Sequence, residues 1–408
     1  MNFLFAWRYF KAKKSTNAIN VIAWVSIAAI IIGSASLILV LSVFNGFEGL
    51  VKSLYSSFYT DLKISPITGK TITLTSDQLK KLSGINEVQG YSLIAEDKAF
   101  LQNGELQSIV YLKGVDDNYK KITALPDKVV RGKFELGNAD YPDIVLGAGI
   151  ENALELETEK NIIPLSVYLF KKTSKLENAD PMQSVSNENI NTSGTFIIQQ
   201  EFDNKYAFTN LAFMKRMLGL NADEYSAVEI ALKNSQQADI VKAQLQKIFG
   251  DNNYNVQTRY EQNQSLYSVM RTEKWVIYCL LSMILVVSAF NMIGALTMLV
   301  LEKQKDINVL KALGANNNYI QRIFLSEGIL LAVLGGVAGI LLAVIICWLQ
   351  VKYKLVALEG GSFLIDYYPV KLVASDFLLV FFTVLIVALI ASWFPSRKAA
   401  LQQIELRS

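Results

Sequence analysis

The residue types that carry most enzyme chemistry are scarce in this sequence. It contains no histidine, which removes the commonest general base and the commonest metal ligand of proteins, together with Ser-His-Asp chemistry. The two cysteines, Cys279 and Cys347, both lie inside apolar runs, so a disulfide framework is not expected. We therefore expect no catalytic residue, no metal site and no cofactor bound by this chain itself.

A segment between two apolar stretches is instead spaced for docking. In residues 302–315, apolar and charged side chains recur at helical spacing, Gly314 is a natural helix stop, and Asn318 can cap the next helix. A short, charged, amphipathic helix between two membrane spans either lies on the bilayer surface or docks into a groove of a cytoplasmic partner. The candidate docking residues are Glu302, Lys303, Asp306, Ile307, Leu310, Lys311, Leu313 and Gly314.

The elements around this segment are apolar enough to cross a membrane. The chain has 408 residues, of which 52% are hydrophobic and 18% charged, whereas an ordinary soluble domain has about 25% charged residues. Four windows without a charged residue each reach the roughly 20 residues that a membrane-spanning helix needs: 15–47, 275–301, 328–351 and 377–396. The first window is too long for the h-region of a secretory signal, so we predict a signal anchor.

Lysine and arginine residues near these windows predict the orientation. They precede the first window, lie in the short connection between the second and third, and follow the fourth, and cytoplasmic loops carry the excess of such residues. Both termini are therefore expected in the cytoplasm, with a large domain outside an inner membrane. The net charge of +3 is too small to indicate a nucleic-acid partner.

The predicted fold class is an integral membrane protein with an all-α four-helix transmembrane part, in a 1+3 arrangement, and a large inserted α+β extracytoplasmic domain. The first span and the segment before it occupy 1–47, and the extracytoplasmic domain occupies 48–270. The remaining predicted segments are span two (271–301), the coupling helix (302–318), span three (319–351), an outer loop (352–376), span four (377–396) and a cytoplasmic tail (397–408).

Local patterns predict several elements of the outer domain. Helices are expected at 76–82, 211–218 and 238–249, and a hairpin is expected to turn at Asn103-Gly104. Residues 171–193 are polar, contain Pro181 and lack apolar periodicity, so they are predicted to form a long loop between two strands. Loops of this length are uncommon in compact domains unless they are functional or disordered. A floppy surface loop and a partner-binding loop both fit.

Polar and small residues inside the spans suggest helix packing. Asn291 is the notable polar residue of span two, and a mid-membrane amide usually hydrogen-bonds across helices, so a structural role is favoured over a substrate contact. A stripe of small residues in span three lets another helix approach closely, either within one bundle or at a subunit interface. Its members are Gly328, Ala332, Gly335, Gly336, Gly339 and Ala343.

Several of these segments resemble a known family, the four-span ABC permeases of the MacB and FtsX type. The residues that carry this likeness are 302–315, 324–328 and 395–400. Within that superfamily the chain is most similar to the lipoprotein-releasing (Lol) permeases. The residues that carry this second likeness are 41–48, 289–293 and 391–395 in the spans, and 143–147 and 202–206 in the outer domain.

The resemblance implies a transport subunit that is not itself an enzyme. Two permeases, identical or paralogous, would assemble with two copies of a separate cytoplasmic ABC ATPase that binds ATP and Mg²⁺. The permeases would extract a triacylated lipoprotein from the inner membrane and pass it to a periplasmic carrier. The alternatives are a MacB-like export permease for a drug, peptide or lipid, and an FtsX-like signalling module that controls a cell-wall hydrolase.

The resemblance also implies two sites outside the cytoplasm. The lipoprotein entrance is placed at Phe44, Asn45, Phe47, Leu50 and Leu54, where Asn45-Gly46 is expected to break the regular helix. The alternative is an ordinary helix end that stabilises the domain junction. In the family one permease extends a hook-like loop to hold the carrier, and loop 171–193, with Pro181 and Met182 near its middle, lies at the corresponding place.

Overall fold

The computed structural model describes residues 17–157, 164–172, 185–250, 254–358 and 367–401. Contacts among these residues divide the chain between Leu50 and Val51, and again between Tyr267 and Ser268. The part between the two divisions is called the outer unit, and the remainder the helical unit.

Helices dominate the helical unit and strands dominate the outer unit. The helices are α1 (Asn17–Phe58), α2 (Ser76–Ser83), α3 (Tyr119–Ile122), α4 (Ala148–Ala153), α5 (Gln200–Asp203), α6 (Leu211–Leu218), α7 (Ala238–Phe249), α8 (Arg259–Gln262), α9 (Gln264–Glu302), α10 (Gln304–Ala312), α11 (Asn317–Tyr353) and α12 (Ala374–Ala400), with 3₁₀ turns at Pro126–Lys128 and Ser235–Gln237. The strands are β1 (Leu62–Pro66), β2 (Ile72–Thr73), β3 (Val88–Asn103), β4 (Leu106–Val115), β5 (Val129–Gly132), β6 (Asp143–Gly147), β7 (Leu165–Phe170), β8 (Val185–Phe196), β9 (Tyr206–Asn210), β10 (Glu224–Tyr225), β11 (Ala227–Leu232) and β12 (Tyr254–Thr258).

Four of the described helices are long and apolar enough to cross a membrane, namely Trp24–Phe58 within α1, together with α9, α11 and α12. The three later charge-free windows lie inside α9, α11 and α12, and α1 continues past the end of the first window to Phe58. Each helix also extends beyond its apolar part. It can do so because the backbone hydrogen bonds of a helix are internal and form in lipid as well as in water.

Small residues let the membrane helices pack closely. A Cβ atom added to Gly335 would lie 2.8 Å from Ile30 of α1, and one added to Gly339 would collide with Ser34 of the same helix. About two turns earlier on α11, a Cβ added to Gly328 would collide with Ser392 of α12. The stripe predicted in span three therefore serves packing within this chain.

The predicted fold class is wrong about the weight of β structure. The outer unit holds a ten-stranded sheet, so an all-α class with a large inserted α+β domain does not describe the chain, whose outer unit is β-rich and barrel-like. Strands β3, β4, β9, β6, β8 and β7 pair in that order, and β7 pairs back to β3, which closes a six-stranded barrel. Closure depends on two parallel pairings, β4 with β9 and β6 with β8, and local sequence patterns do not reveal such long-range partners.

The barrel interior is apolar. Alternate residues of each strand point inward, such as Leu165, Val167 and Leu169 of β7, all at most 1% exposed. Ile150 of α4, Leu154 directly after it, and Phe213 and Met217 of α6 belong to the same core. The outer face of each strand is free to be polar, which explains why β8 was not predicted over its first half.

The other end of the sheet forms a second layered core. The first part of β3 pairs with β11, which pairs with β1, and β1 pairs with β12. Helices α2 and α7 cover this sheet through Leu82, Val241 and Leu245. A buried ion pair of 2.6 Å joins Lys113 of β4 to Glu229 of β11. It therefore links the barrel to this other end of the sheet.

Short-range signals in the outer unit are confirmed. Helices at 76–83, 211–218 and 238–249 match the predicted ones, and the side chains of Thr75 and Gln78 form the capping box that starts the first of them. The hairpin at Asn103-Gly104 joins β3 to β4, and Gly104 has a φ of +58°, a conformation that favours glycine.

Candidate functional site

The coupling segment forms a short helix with well-defined ends. Helix α10 runs from Gln304 to Ala312, and the chain reverses at Gly314, where φ is +92°. Asn316 caps the next helix by accepting a hydrogen bond of 2.8 Å from the backbone N of Tyr319. The cap is therefore two residues earlier than predicted, and Glu302 is the last residue of α9.

One face of α10 is buried in the helical unit. Ile307 is 1% exposed and packs in an apolar cluster with residues of α9, α11 and α12. The prediction that Ile307 docks on a partner is therefore wrong, because this side chain anchors the helix to its own chain. Lys311 adds a second anchor, since its Nζ donates a hydrogen bond of 2.9 Å to the carbonyl oxygen of Ala400. Helix α10 is thus fixed to three membrane helices.

The opposite face of α10 is exposed and apolar. Leu313 is 80% exposed and Val309 is 59% exposed, while Leu310 is half-buried between them. We call these three residues the coupling face. An ion pair of 3.2 Å between Lys303 and Asp306 lies in the first turn. Val309 was not among the residues predicted from the sequence. The buried side of α10 depends on the helices that pack against it, and these contacts cannot be read from the segment alone.

The far end of the first span is a regular helix. Helix α1 continues through Asn45-Gly46 to Phe58, so the predicted break is wrong. Phe44, Phe47 and Leu50 are half-buried, and Leu54 is 8% exposed. The five predicted entrance residues therefore lie along one unbroken helix and do not surround an opened turn.

Asn45 belongs to a polar cluster that joins three membrane helices. Its Nδ2 donates a hydrogen bond of 2.6 Å to Oδ2 of Asp376 in α12, and its Oδ1 accepts one of 2.8 Å from Nζ of Lys274 in α9. Lys274 Nζ also lies 3.3 Å from Asp376 Oδ1. Asn45 and Asp376 are 5% and 7% exposed. Buried polar groups need such partners, so the cluster stabilises this arrangement of the three helices.

Gly46 permits a close backbone approach beside this cluster. A Cβ atom at this position would collide with the backbone of Pro369. The segment that contains Pro369 also bonds to α1, since the backbone N of Lys371 donates a hydrogen bond of 2.9 Å to the carbonyl oxygen of Ser42. In the same segment, the ring of Tyr368 packs edge-on against the ring of Phe47. The role of Gly46 is therefore contact with the segment before α12 and not helix breaking.

The last turns of α1 are anchored by aromatic residues of the outer unit. The ring of Phe58 stacks on that of Phe202, with centroids 4.3 Å apart, and also contacts Tyr206. Tyr55 donates a hydrogen bond of 2.7 Å to Glu201, and this bond holds the pKa of Glu201 below its ordinary value. The end of α1 is therefore held firmly by α5 and β9.

Part of the predicted carrier loop is a strand. Strands β7 and β8 pair from Leu165↔Ile190 to Phe170↔Val185, so residues 185–193 belong to a strand. Pro181 and Met182 lie outside the described residues. Near the last described pair of these strands, Arg216 donates hydrogen bonds of 3.1 and 2.6 Å to Glu188, and Lys172 forms an ion pair of 2.6 Å with Glu224.

The remaining predicted residues make no site of their own. Asn291 is exposed, and its side chain forms no hydrogen bond with the part of the chain that the structure describes, so the predicted bond across helices within this chain is absent there. Cys279 is exposed and Cys347 is buried, and both are free thiols. Within the described ranges, no group of three metal-ligating side chains comes together.

Two family models match the sequence. The MacB-like periplasmic core domain matches residues 23–248, and the FtsX-like permease C-terminal domain matches residues 278–404. The first match therefore covers α1 and most of the outer unit, and the second covers α10, α11, α12 and most of α9.

Curated relatives match over nearly the whole chain. The lipoprotein-releasing system transmembrane protein LolC of Neisseria meningitidis serogroup B is 26% identical over 98% of this chain and 97% of its own. LolE of Haemophilus influenzae, a protein of the same system, is 26% identical over 98% and 96%. The pyoverdine export ATP-binding/permease protein PvdT of Pseudomonas fluorescens is 24% identical over 97% of this chain but only 57% of its own length.

Proposed function

This chain belongs to the family of the MacB-like periplasmic core domain, and from that premise we propose that it is a permease subunit of an ATP-driven transporter that releases lipoproteins from the inner membrane. The observation that carries the proposal is the likeness to lipoprotein-releasing permeases over nearly the full length of both partners. The four membrane-crossing helices and the large outer unit are the parts that such a permease requires.

The proposed orientation places α10 in the cytoplasm and the outer unit in the periplasm. Cations gather on the side of the helical unit that carries α10, at Lys305, Lys311, Arg322, Arg397 and Lys398, and cytoplasmic flanks carry the excess of lysine and arginine. Reporter fusions after residues 317 and 401 should therefore give cytoplasmic signals, whereas a fusion near Lys175 should give a periplasmic one. A cytoplasmic signal near Lys175 would contradict the orientation.

The coupling face is the proposed docking point for a separate ABC ATPase, present in two copies with ATP and Mg²⁺. Val309 and Leu313 are the exposed apolar side chains that a groove on such a partner would bury, and burying one of them fully is worth about 1.5–3 kcal/mol. Because Ile307 and Lys311 hold α10 against α9, α11 and α12, a displacement of α10 would move those helices with it.

The proposed path to the outer unit runs through α1. Asn45 links this helix to α9 and α12 through Lys274 and Asp376, and Tyr55 and Phe58 are held at its other end. The work required is large, since each acyl methylene drawn from the bilayer costs about 0.8 kcal/mol.

The cargo and the acceptor complete the proposal. A second permease, identical or paralogous, would share the cargo, a triacylated lipoprotein, and a periplasmic carrier would receive it. The segment between β7 and β8 is the proposed carrier contact, since the two strands that flank it pair as far as Phe170 and Val185 and are accompanied by the ion pairs of Arg216 and Lys172.

Reconstitution tests the function directly. The complex is purified from native membranes through a tag on this chain and placed in proteoliposomes with a triacylated lipoprotein. Addition of ATP and soluble carrier should move the lipoprotein into the supernatant, whereas a non-hydrolysable ATP analogue should not. Release that is independent of ATP or of carrier would contradict the proposal.

Export of a small molecule is the second candidate, because of the likeness to the pyoverdine export protein. The same proteoliposomes distinguish the two functions when they are loaded with a siderophore in place of a lipoprotein. ATP-dependent efflux of the siderophore, without lipoprotein release, would favour export. If the proteoliposomes show neither activity and a cell-wall hydrolase co-purifies with the chain, a signalling role would be favoured.

A further inference from the structure

A groove lies between the ends of α9 and α12 on the side of the helical unit that carries α10. It has a volume of about 540 Å³. Thr297, Val300 and Leu301 of α9 form one wall, and Trp393 and Phe394 of α12 form the other. Both helices are long and apolar enough to cross a membrane, and the groove lies at the end of each apolar stretch, which corresponds to one surface of the bilayer.

The walls of the groove are apolar and unoccupied by this chain's described residues. Trp393 is 57% exposed, Phe394 is 66% exposed and Leu301 is 50% exposed. Pro395, inside α12, also lines the groove. Exposed aromatic residues at the end of a membrane helix are typical of the boundary between acyl chains and headgroups.

Two cations stand at the mouth of the groove. Arg397 and Lys398 line it, and each follows an exposed aromatic residue, Trp393 or Phe394, by four positions. One helical turn carries them about 6 Å towards the water. Neither cation forms an ion pair with any residue that the structure describes, and both are exposed. An apolar wall with two positive charges one helical turn away from it is complementary to an acyl chain joined to an anionic headgroup.

We propose that this groove is a binding site for an anionic phospholipid. The phosphate lies between Arg397 and Lys398, and an acyl chain lies along the exposed side chains of Leu301, Trp393 and Phe394. Basic pockets between membrane helices on the cytoplasmic side are suited to anionic headgroups, and a zwitterionic headgroup would place its own cation against the two side chains. The residues of this site are different from those of the coupling face and of the proposed lipoprotein entrance.

The bound lipid would support the position of α10. Val300, which lines the groove, belongs to the same apolar cluster as Ile307. Ala400, whose carbonyl oxygen accepts the hydrogen bond from Lys311, is two residues beyond Lys398. A lipid that holds α9 and α12 together at this level therefore also holds the two anchors of α10.

Lipid titration followed by native mass spectrometry tests the site. The full chain is purified in detergent and titrated with phosphatidylglycerol or with phosphatidylcholine of the same acyl chains. The unmodified chain should bind phosphatidylglycerol more tightly. The double change Arg397→Gln and Lys398→Gln should weaken phosphatidylglycerol binding about tenfold or more and leave phosphatidylcholine binding unchanged.

Control variants separate the site from general surface charge. Lys305→Gln with Arg322→Gln removes two exposed cations of the same side, outside the groove, and should leave the binding of both lipids unchanged. Phe394→Ser should weaken the binding of phosphatidylglycerol while the cations remain. Inorganic phosphate at millimolar concentration should not displace the lipid, because inorganic phosphate has no acyl chain to contact the apolar wall. Equal affinity for the two lipids, equal losses in the two double variants, or displacement by phosphate would each overturn the proposal.

Discussion

Asn45 and Asp376 are 331 positions apart in the sequence, and a hydrogen bond of 2.6 Å joins their buried side chains. Lys274 contacts both of them, so an amide, a carboxylate and an ammonium group satisfy one another where α1, α9 and α12 meet. In a membrane protein these polar groups would otherwise face hydrocarbon or lose their partners. The cluster therefore defines the relative position of three helices at one level.

Removing one member of this cluster should destabilise the helical unit. Asp376→Ala leaves the buried amide of Asn45 and the ammonium of Lys274 without the carboxylate, at a cost of about 1–3 kcal/mol. Asp376→Asn should cost less, because an amide oxygen still accepts from Asn45. Thermal unfolding of the detergent-solubilised chain measures both. The double variant with Asn45→Ala should be less destabilised than the sum of the single ones, and strict additivity would show that the two side chains do not interact.

Gly46 and Gly49 offer a matched comparison on one helix. An added methyl group at Gly46 meets the backbone of Pro369, whereas at Gly49 the nearest atom is the flexible Cδ of Lys371 at 3.9 Å. Gly46→Ala should therefore lower the unfolding temperature, with an overpacking cost of about 1–3 kcal/mol. Gly49→Ala should be neutral or stabilising, because alanine favours helix over glycine by up to about 1 kcal/mol. Similar unfolding temperatures for the two variants would contradict the close approach.

The coupling face predicts which changes uncouple the ATPase without unfolding the chain. Leu313→Asp should reduce ATPase co-purification about tenfold or more, since burial of a leucine is worth about 1.5–3 kcal/mol, while thermal stability stays unchanged. Ile307→Asp should instead destabilise the chain itself, because Ile307 is buried. Leu355→Asp serves as the control, as Leu355 is 68% exposed in the segment between α11 and α12. ATPase association that survives Leu313→Asp would remove the coupling face from the proposal.

The contrast between Ile307 and Leu313 shows what the sequence could predict. Helical spacing indicated the short helix and its stop at Gly314, because these are local properties of the chain. It could not indicate which side of that helix is buried, because the answer depends on α9, α11 and α12. The same limit applies to Asn45, whose partners come from two distant helices. Asn45-Gly46 suggested a helix break by residue type, but packing against Asp376 and Pro369 overrides that local preference.

The outer unit shows the same division between local and long-range information. The helix 211–218 was predicted at its observed bounds, since Asn210 caps its start and Gly219 ends it with a φ of +67°. The barrel was not predicted, because its closure needs β7 to pair with both β3 and β8. The first half of β8 has mostly polar side chains, and its strand conformation is stabilised by backbone pairing with β7 and not by an apolar pattern.

Asp203 should make the outer unit sensitive to pH. Burial raises its pKa to about 6, and the backbone N of Ile198 donates a hydrogen bond of 2.9 Å to its Oδ1. In the unfolded chain an aspartate titrates near 3.9, so the folded state holds the proton more tightly. Local stability should therefore fall as the pH rises from about 4 to about 6 and remain level above that range.

Hydrogen exchange in the full chain measures this effect. Protection of amides in residues 197–208, corrected for intrinsic exchange rates, should be lower at pH 7 than at pH 5. Asp203→Asn should remove the difference, because an amide does not titrate but can still accept from Ile198. A pH dependence that persists in this variant would assign the effect to another group.

The hairpin of β7 and β8 gives the last prediction, which concerns the carrier. Its base is fixed by the pairing of Phe170 with Val185 and by the ion pairs of Arg216 and Lys172, so a change at the tip should not disturb the barrel. Deletion of residues 175–182 removes Pro181 and Met182 and leaves four residues between Lys172 and Val185. Because loop length affects stability only weakly, the fold and the ATPase association should remain intact, while capture of the soluble lipoprotein carrier in a pull-down should be lost.

Replacement of 175–182 by glycine and serine of equal length is the matched control. It should also fail to capture the carrier, because it removes a conformationally stiff proline and an adaptable apolar methionine. Capture by the replacement variant would mean that only the length of the tip matters, and capture by the deleted chain would show that the carrier is held by another surface.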